Sequence, residues 1–210
     1  MDEDLTQCMN PHGEVGKKTI AEMNASHTPQ IMWGVDNLPY FTPTMILDIG
    51  CGGGIFTEIV LNKYKDAKAC GIDISELCIE YAKEYNAEFI KAGRLELTVG
   101  DVANMPYANG TFNMVVSNAS HFFWSDLRKS LREINRVSKM GAVVCFTAAI
   151  HFDEEPNEDQ KKEYEGMTNI ISDRKLQEMM DLAGFRTAIV ASRENSFCAY
   201  IGIKYRDLSC

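Results

Sequence analysis

Met45-Ile46-Leu47-Asp48-Ile49-Gly50-Cys51-Gly52-Gly53-Gly54 is the stretch whose reading decides the fold. A short apolar run breaks into a cluster of glycines, and a helical pattern follows from Ile55 to Tyr64. Strand, tight turn and helix in this order open onto a ligand, because glycine lets the backbone approach a bound molecule closely. Two carboxylates, Asp73 and Asp101, follow at intervals suited to the ends of the next two strands. Together these marks predict an α/β domain that binds a nucleoside.

Working outward, strand and helix signals alternate from Thr44 onward. Ala67–Ile74 reads as a second strand and Leu95–Gly100 as a third, with a helix between them that starts at the N-cap Ser75. Pro106 and the Asn109-Gly110 turn separate a fourth strand, Phe112–Ser117. An amphipathic helix capped by Ser125 or Asp126 carries Leu127, Leu131, Ile134 and Val137 on one face. Gly141 then launches a fifth strand, Ala142–Ile150. This alternation specifies an α/β fold with a mostly parallel, Rossmann-like sheet and helices on both faces. After a helix around Asp173–Ala183, Thr187–Ala191 and Ser196–Lys204 lie too close in sequence to be anything but an antiparallel hairpin. No repeat or linker interrupts the chain, so residues 1–210 read as one domain. Residues 1–43 form an N-terminal helical lid, 44–150 the binding core, and 151–210 a helical insert and closing hairpin.

Composition bounds the partners. The 210 residues carry a formal net charge of −9, and Lys and Arg never cluster beyond a pair. A protein that wraps nucleic acid needs a basic footprint, so no nucleic-acid partner is expected. The longest apolar run, Gly141–Ile150, is too short to span a bilayer, so no membrane association is expected. The seven cysteines are odd in number and form no Cys-x-x-Cys pair, which suits a reducing compartment. With the acidic start Met-Asp-Glu-Asp, which lacks a signal-peptide pattern, this predicts a cytoplasmic protein. The four histidines are scattered and Asp153–Glu165 reads as a solvated acidic face, so no metal site is expected.

The motifs resemble those of the class I S-adenosylmethionine-dependent methyltransferases, in particular the small-molecule subgroup that includes the ubiquinone/menaquinone-type enzymes. The resemblance rests on Leu47–Gly54, on Gly71-Ile72-Asp73-Ile74-Ser75 and on Gly100–Tyr107. Phe112–Asn118 and Leu131–Val137 complete it. It implies a seven-stranded sheet with one antiparallel strand, S-adenosylmethionine as methyl donor and S-adenosylhomocysteine as product. It places Gly50, Cys51 and Gly52 at the methionine portion, and counts Asp48 and Asn118 among the cofactor-binding residues. Asp73 with Ile74 would meet the ribose, and Asp101 with Val102 the adenine. A dinucleotide would want a third glycine where Ile55 stands, while an acidic residue such as Asp73 suits either ligand.

Two segments are candidates for the acceptor pocket. Asn118–Trp124 contributes Phe122 and Trp124 as aromatic walls, with His121 as a base or orienting donor. The N-terminal stretch contributes His27 and Trp33, and His151 points toward the same crevice on weaker grounds. Each aromatic could equally be core packing. The expected function is in-line methyl transfer to a small-molecule acceptor by a monomer or homodimer. The alternative is a non-catalytic subunit that binds S-adenosylmethionine or S-adenosylhomocysteine and regulates a partner.

Overall fold

The computed structural model describes residues 7–8 and 11–208; the acidic start at residues 1–4 and Cys210 lie outside them. A long helix, α1 (Gly13–Asp36), leads into β1 (Met45–Ile49), α2 (Ile55–Lys63), β2 (Lys68–Asp73) and α3 (Glu76–Tyr85). There follow α4 (Ala87–Lys91), β3 (Leu95–Val99), β4 (Phe112–Asn118) and a 3-10 turn at His121–Phe123. Next come α5 (Leu127–Val137), β5 (Ser138–Ala148), α6 (Glu158–Glu163), α7 (Asp173–Leu182), β6 (Phe185–Ala191) and β7 (Cys198–Lys204). The strands form one seven-stranded sheet in the order β3-β2-β1-β4-β5-β7-β6. Only β7 runs against its neighbours β5 and β6. The expected mixed sheet, with a closing antiparallel hairpin, is the one observed.

Alternate strand residues point to opposite faces of a pleated sheet, and each face meets helices. Leu47, Ile49, Val115, Val144 and Phe146 pack against Leu131 and Ile134 of α5 and Leu176 and Met180 of α7. Ile46, Met114, Val116, Val143 and Cys145 pack on the other side, against Ile31 and Val35 of α1 and Phe56 and Val60 of α2. The helix starts follow local chemistry. Ser75, Asp126 and Ser172 each accept a hydrogen bond from a backbone N–H three residues on.

Three boundaries differ from the sequence reading. β5 starts at Ser138, four residues before the expected strand, because Ser138 pairs with Phe112 before the register shifts to Val143 opposite Met114. The short α4 has no buried residue, so no apolar stripe marked it. The acidic insert is helical only over α6, which Asn157 and Gln160 hold in a reciprocal capping box.

α1 lies close against the sheet at Gly34, where a Cβ would overlap Thr147 Cγ2 of β5. Gly34→Ala is expected to cost about 1–3 kcal/mol of stability, the usual cost of overpacking. Thr147→Ser removes only the colliding methyl, so the double variant should regain part of that loss in urea unfolding. A double variant no more stable than Gly34→Ala would refute the close approach.

Candidate active site

The carboxyl ends of β1, β2 and β4 open into a cavity of about 560 Å³. Its floor is the turn after β1. Gly50, Gly52 and Gly54 have φ of 62°, 50° and 83°, in the left-handed region that glycine enters without strain. The N–H groups of Gly50 and Cys51 donate to the Ile72 carbonyl at 2.8 and 3.1 Å, and Gly54 N–H closes the turn onto Cys51 O at 2.8 Å. Space also demands glycine here. A Cβ on Gly50 would strike Ser120, and one on Gly53 would lie 2.6 Å from Ile20 Cγ2. A Cβ on Gly52 would meet nothing within 4 Å, so bare backbone faces the cavity there.

Three carboxylates line this floor: Asp48, Asp73 and Asp101. Asp73 Oδ2 accepts from Gly52 N–H at 2.8 Å and Oδ1 from Ser75 N–H at 2.9 Å, tying the glycine turn to the start of α3. Burial raises its pKa, and the two N–H donors pull the other way. Each oxygen keeps acceptor capacity for a further donor. Asp101 Oδ1 accepts from Ala103 N–H at 2.8 Å, a tight local turn that leaves the carboxylate at the cavity. Asp48 is buried and its Oδ2 accepts from Thr57 Oγ1 at 2.6 Å. Burial pushes its pKa up to about 7, against the Thr57 hydrogen bond, and the charge of Asp73 adds to the rise. The Cys51 thiol also lines the cavity, and burial together with Asp73 and Asp48 holds it well above its ordinary pKa.

α1 crosses over this floor. Asn24 Nδ2 donates to Gly53 O at 3.1 Å, and two turns on Gln30 Nε2 donates to Asn118 Oδ1 at 2.5 Å. Thr147 Oγ1 donates to the same Asn118 oxygen at 2.8 Å. His27 sits on the helix face between these anchors and lines the cavity, and burial lowers its pKa. Trp33 does not line it. Nine residues at about 100° each turn it half-way round the helix from Asn24. It packs instead behind Phe197, with ring centroids 6.1 Å apart.

Phe122, Phe123, Trp124, Ile150, Met167 and Phe197 form the apolar end of the cavity. His121, the expected base, is absent from this lining and turns into the core. It is 2% exposed, its ring lies between Phe122 and Phe146, and its Nδ1 has no hydrogen-bond partner. Burial lowers its pKa to about 3, so it is a neutral core residue. A three-residue 3-10 turn directs its side chains in three directions, and sequence alone does not show which one faces the cavity. The insert is stitched onto this turn. Thr168 and Asn169 N–H donate to Phe122 O, and Asn169 Nδ2 donates to the carbonyls of His121 and Trp124.

His151, also expected at the crevice, is placed elsewhere, with its Nδ1 3.0 Å from Asp173 Oδ2. Asp173 further accepts from Phe152 N–H at 3.0 Å and Tyr200 Oη at 2.7 Å, fixing the insert to β7. With Cys198 this cluster gathers three possible metal ligands within 4.8 Å, but both carboxylate oxygens are already used in hydrogen bonds.

The cavity therefore brings together Asp48, Gly50, Cys51, Gly52, Asp73, Ile74, Asp101, Val102 and Asn118 with His27, Phe122 and Trp124. Asn24, Gln30 and Ser120 fall inside the two expected pocket segments but were not singled out there, since their role depends on how α1 crosses the loop. A glycine turn and carboxylates at successive strand ends thus meet at the carboxyl edge of a mixed seven-stranded sheet, where α/β sheets take their ligands. Residues 46–141 match a protein family described as a methyltransferase domain.

Among curated relatives, the chain is 33% identical over 127 residues to ajmaline N-methyltransferase of Rauvolfia serpentina, covering 60% of this chain and 43% of that protein. It is 33% identical over 108 residues to malonyl-[acyl-carrier protein] O-methyltransferase of Legionella pneumophila, covering 50% and 36%. The match thus spans about two-fifths of the length of these relatives. A solved S-adenosylmethionine-dependent methyltransferase from Aquifex aeolicus shares the fold, with a TM-score of 0.70 at 17% identity over 89% of this chain and 97% of that one. Among the described residues no helix is long and apolar enough to cross a membrane.

Two measurements check the electrostatics. Between pH 3.8 and about 7 the folded state holds a proton on Asp48 that the unfolded chain has released. Asp48 therefore makes stability fall as pH rises through that window, by about 1.4 kcal/mol per pH unit at most. Buried His121 works in the opposite sense at acid pH, so the signature lies in the difference between wild type and Asp48→Asn. The variant should gain relative stability from pH 4 to pH 7 in urea unfolding; a constant difference would refute the assignment. In a histidine NMR titration, His121 is expected to show no inflection between pH 5 and 9, and an inflection there would place its ring in water.

Proposed function

We propose that this protein transfers a methyl group from S-adenosylmethionine to a small-molecule acceptor. The observation that carries this reading is the Gly52–Asp73 pair. It presents bare backbone and a carboxylate with free acceptor capacity to the same cavity. S-adenosylmethionine fits the residues present. Asp73 would accept the two ribose hydroxyls, and Ile74, an isoleucine 69% exposed at the cavity, would cover an apolar ring face with Val102. Asp101 would hold the adenine edge, while Gly50, Cys51, Gly52 and Asp48 would surround the amino-acid end.

When bound, the donor supplies a methyl carbon that the acceptor's lone pair attacks in line, while the carbon–sulfur bonding pair stays on sulfur. The protein's part is then alignment and exclusion of water, which can supply much of the rate. α1 and the insert roof the site, and Phe122, Phe123 and Trp124 confine the acceptor. An acceptor that carries a proton at neutral pH must lose it to a base. His27, kept neutral by burial, is the histidine of the cavity lining and serves that role. The apolar end also supports the finer placement among small-molecule, ubiquinone/menaquinone-type enzymes. A purely regulatory binding protein would leave that end of the cavity without a use.

Calorimetric titration tests the reading. S-adenosylmethionine and S-adenosylhomocysteine are expected to bind and NADH is not; the reverse pattern would overturn it. Asp73→Ala should weaken S-adenosylhomocysteine about 10- to 100-fold, the loss expected for hydrogen bonds to a charged acceptor. Unchanged affinity would remove Asp73 from the ribose site.

A further inference from the structure

The lining of the cavity has a one-sided charge. Asp48, Asp73 and Asp101 face it, and no Lys or Arg appears among its lining residues. Residues 1–6, 9–10 and 209–210, which lie outside the described set, contain no Lys or Arg either, so none of their side chains could add a cation. The other hydrogen-bonding side chains of the lining carry no charge either: the amides of Asn24, Gln30 and Asn118, the hydroxyls of Ser26, Ser120 and Ser125, and the imidazole of His27. The rest of that end is Phe122, Phe123, Trp124, Ile150, Met167 and Phe197. A carboxylate or phosphate buried there would lose its water and gain no opposite charge from the protein, while the carboxylates of the cavity repel it. A neutral ring gains from apolar burial, and a cation gains further from aromatic faces and carboxylates.

We propose that the acceptor end takes a largely apolar small molecule that is uncharged or cationic, and rejects one that inserts a carboxylate or phosphate. This deepens the methyltransferase reading and rests on it for the meaning of the word acceptor. The charge rule itself is a property of the cavity and is tested without turnover.

The chain has two tryptophans, so Trp33→Phe leaves Trp124 in the cavity wall as the sole indole reporter. In that variant the indole N–H resonance of Trp124 is followed by NMR during titration with three probes built on the same biphenyl: 4-phenylphenol, 4-phenylbenzylamine and 4-phenylbenzoate. The phenol and the amine are expected to bind at least tenfold more tightly than the benzoate at pH 7.5. Adding Met167→Lys should strengthen benzoate binding at least fivefold and leave the phenol within a factor of two. Benzoate binding as tight as phenol, or no shift from any probe, would overturn the proposal. The same selectivity in a protein that fails to bind S-adenosylhomocysteine would uphold the charge rule while the methyltransferase reading falls.

Discussion

The turn after β1 is the constraint on which the rest depends. Left-handed backbone at Gly50, Gly52 and Gly54 reverses the chain within five residues, and the Ile72 carbonyl and the Asp73 carboxylate hold it in place. Because Asp73 accepts from both Gly52 N–H and Ser75 N–H, one side chain ties the glycine turn to the start of α3. Neighbours then close in to a distance that excludes side chains on the turn: Ser120 above Gly50, Ile20 and Asn24 above Gly53, and Asn86 beside Gly54. Binding surface and packing surface are thus opposite sides of the same five residues.

The two ends of the cavity are built by different means. The carboxylate end is made of backbone turns and strand termini, whose geometry is local and repeats along the sheet. The apolar end is assembled from distant pieces: the 3-10 turn after β4, the insert after β5, and Phe197 before β7. These pieces hold together through backbone groups and one buried carboxylate. Phe122 O receives two N–H donors from the insert, and Asp173 gathers Phe152 N–H, His151 and Tyr200. Side chains on that end are consequently free to be apolar.

Legibility in the sequence follows the same division. The alternation of strands and helices, the caps at Ser75 and Asp126, and the line of carboxylates at strand ends could be read because each rests on a short-range pattern. α4 could not, having no buried face, nor could the early start of β5, which depends on pairing with Phe112 across a register shift. At the acceptor end, proximity in sequence misled. His121 lies one residue from Phe122, yet the turn sends its ring inward to Phe146 and Tyr200. Trp33 shares its helix with His27 but is turned about a third of the way round it and misses the cavity. Asn24 and Gln30 carry no motif, and only the crossing of α1 over the loop gives them a partner.

One further consequence concerns Cys51. A sulfur nucleophile beside an activated methyl is a hazard, since a thiolate attacks an alkyl donor readily whereas a thiol does not. The same burial and the same flanking carboxylates that shape the floor keep this sulfur protonated. With the proposed donor bound, the site would thereby be guarded against alkylating itself, and the acid side chains would protect the protein as well as hold the ligand.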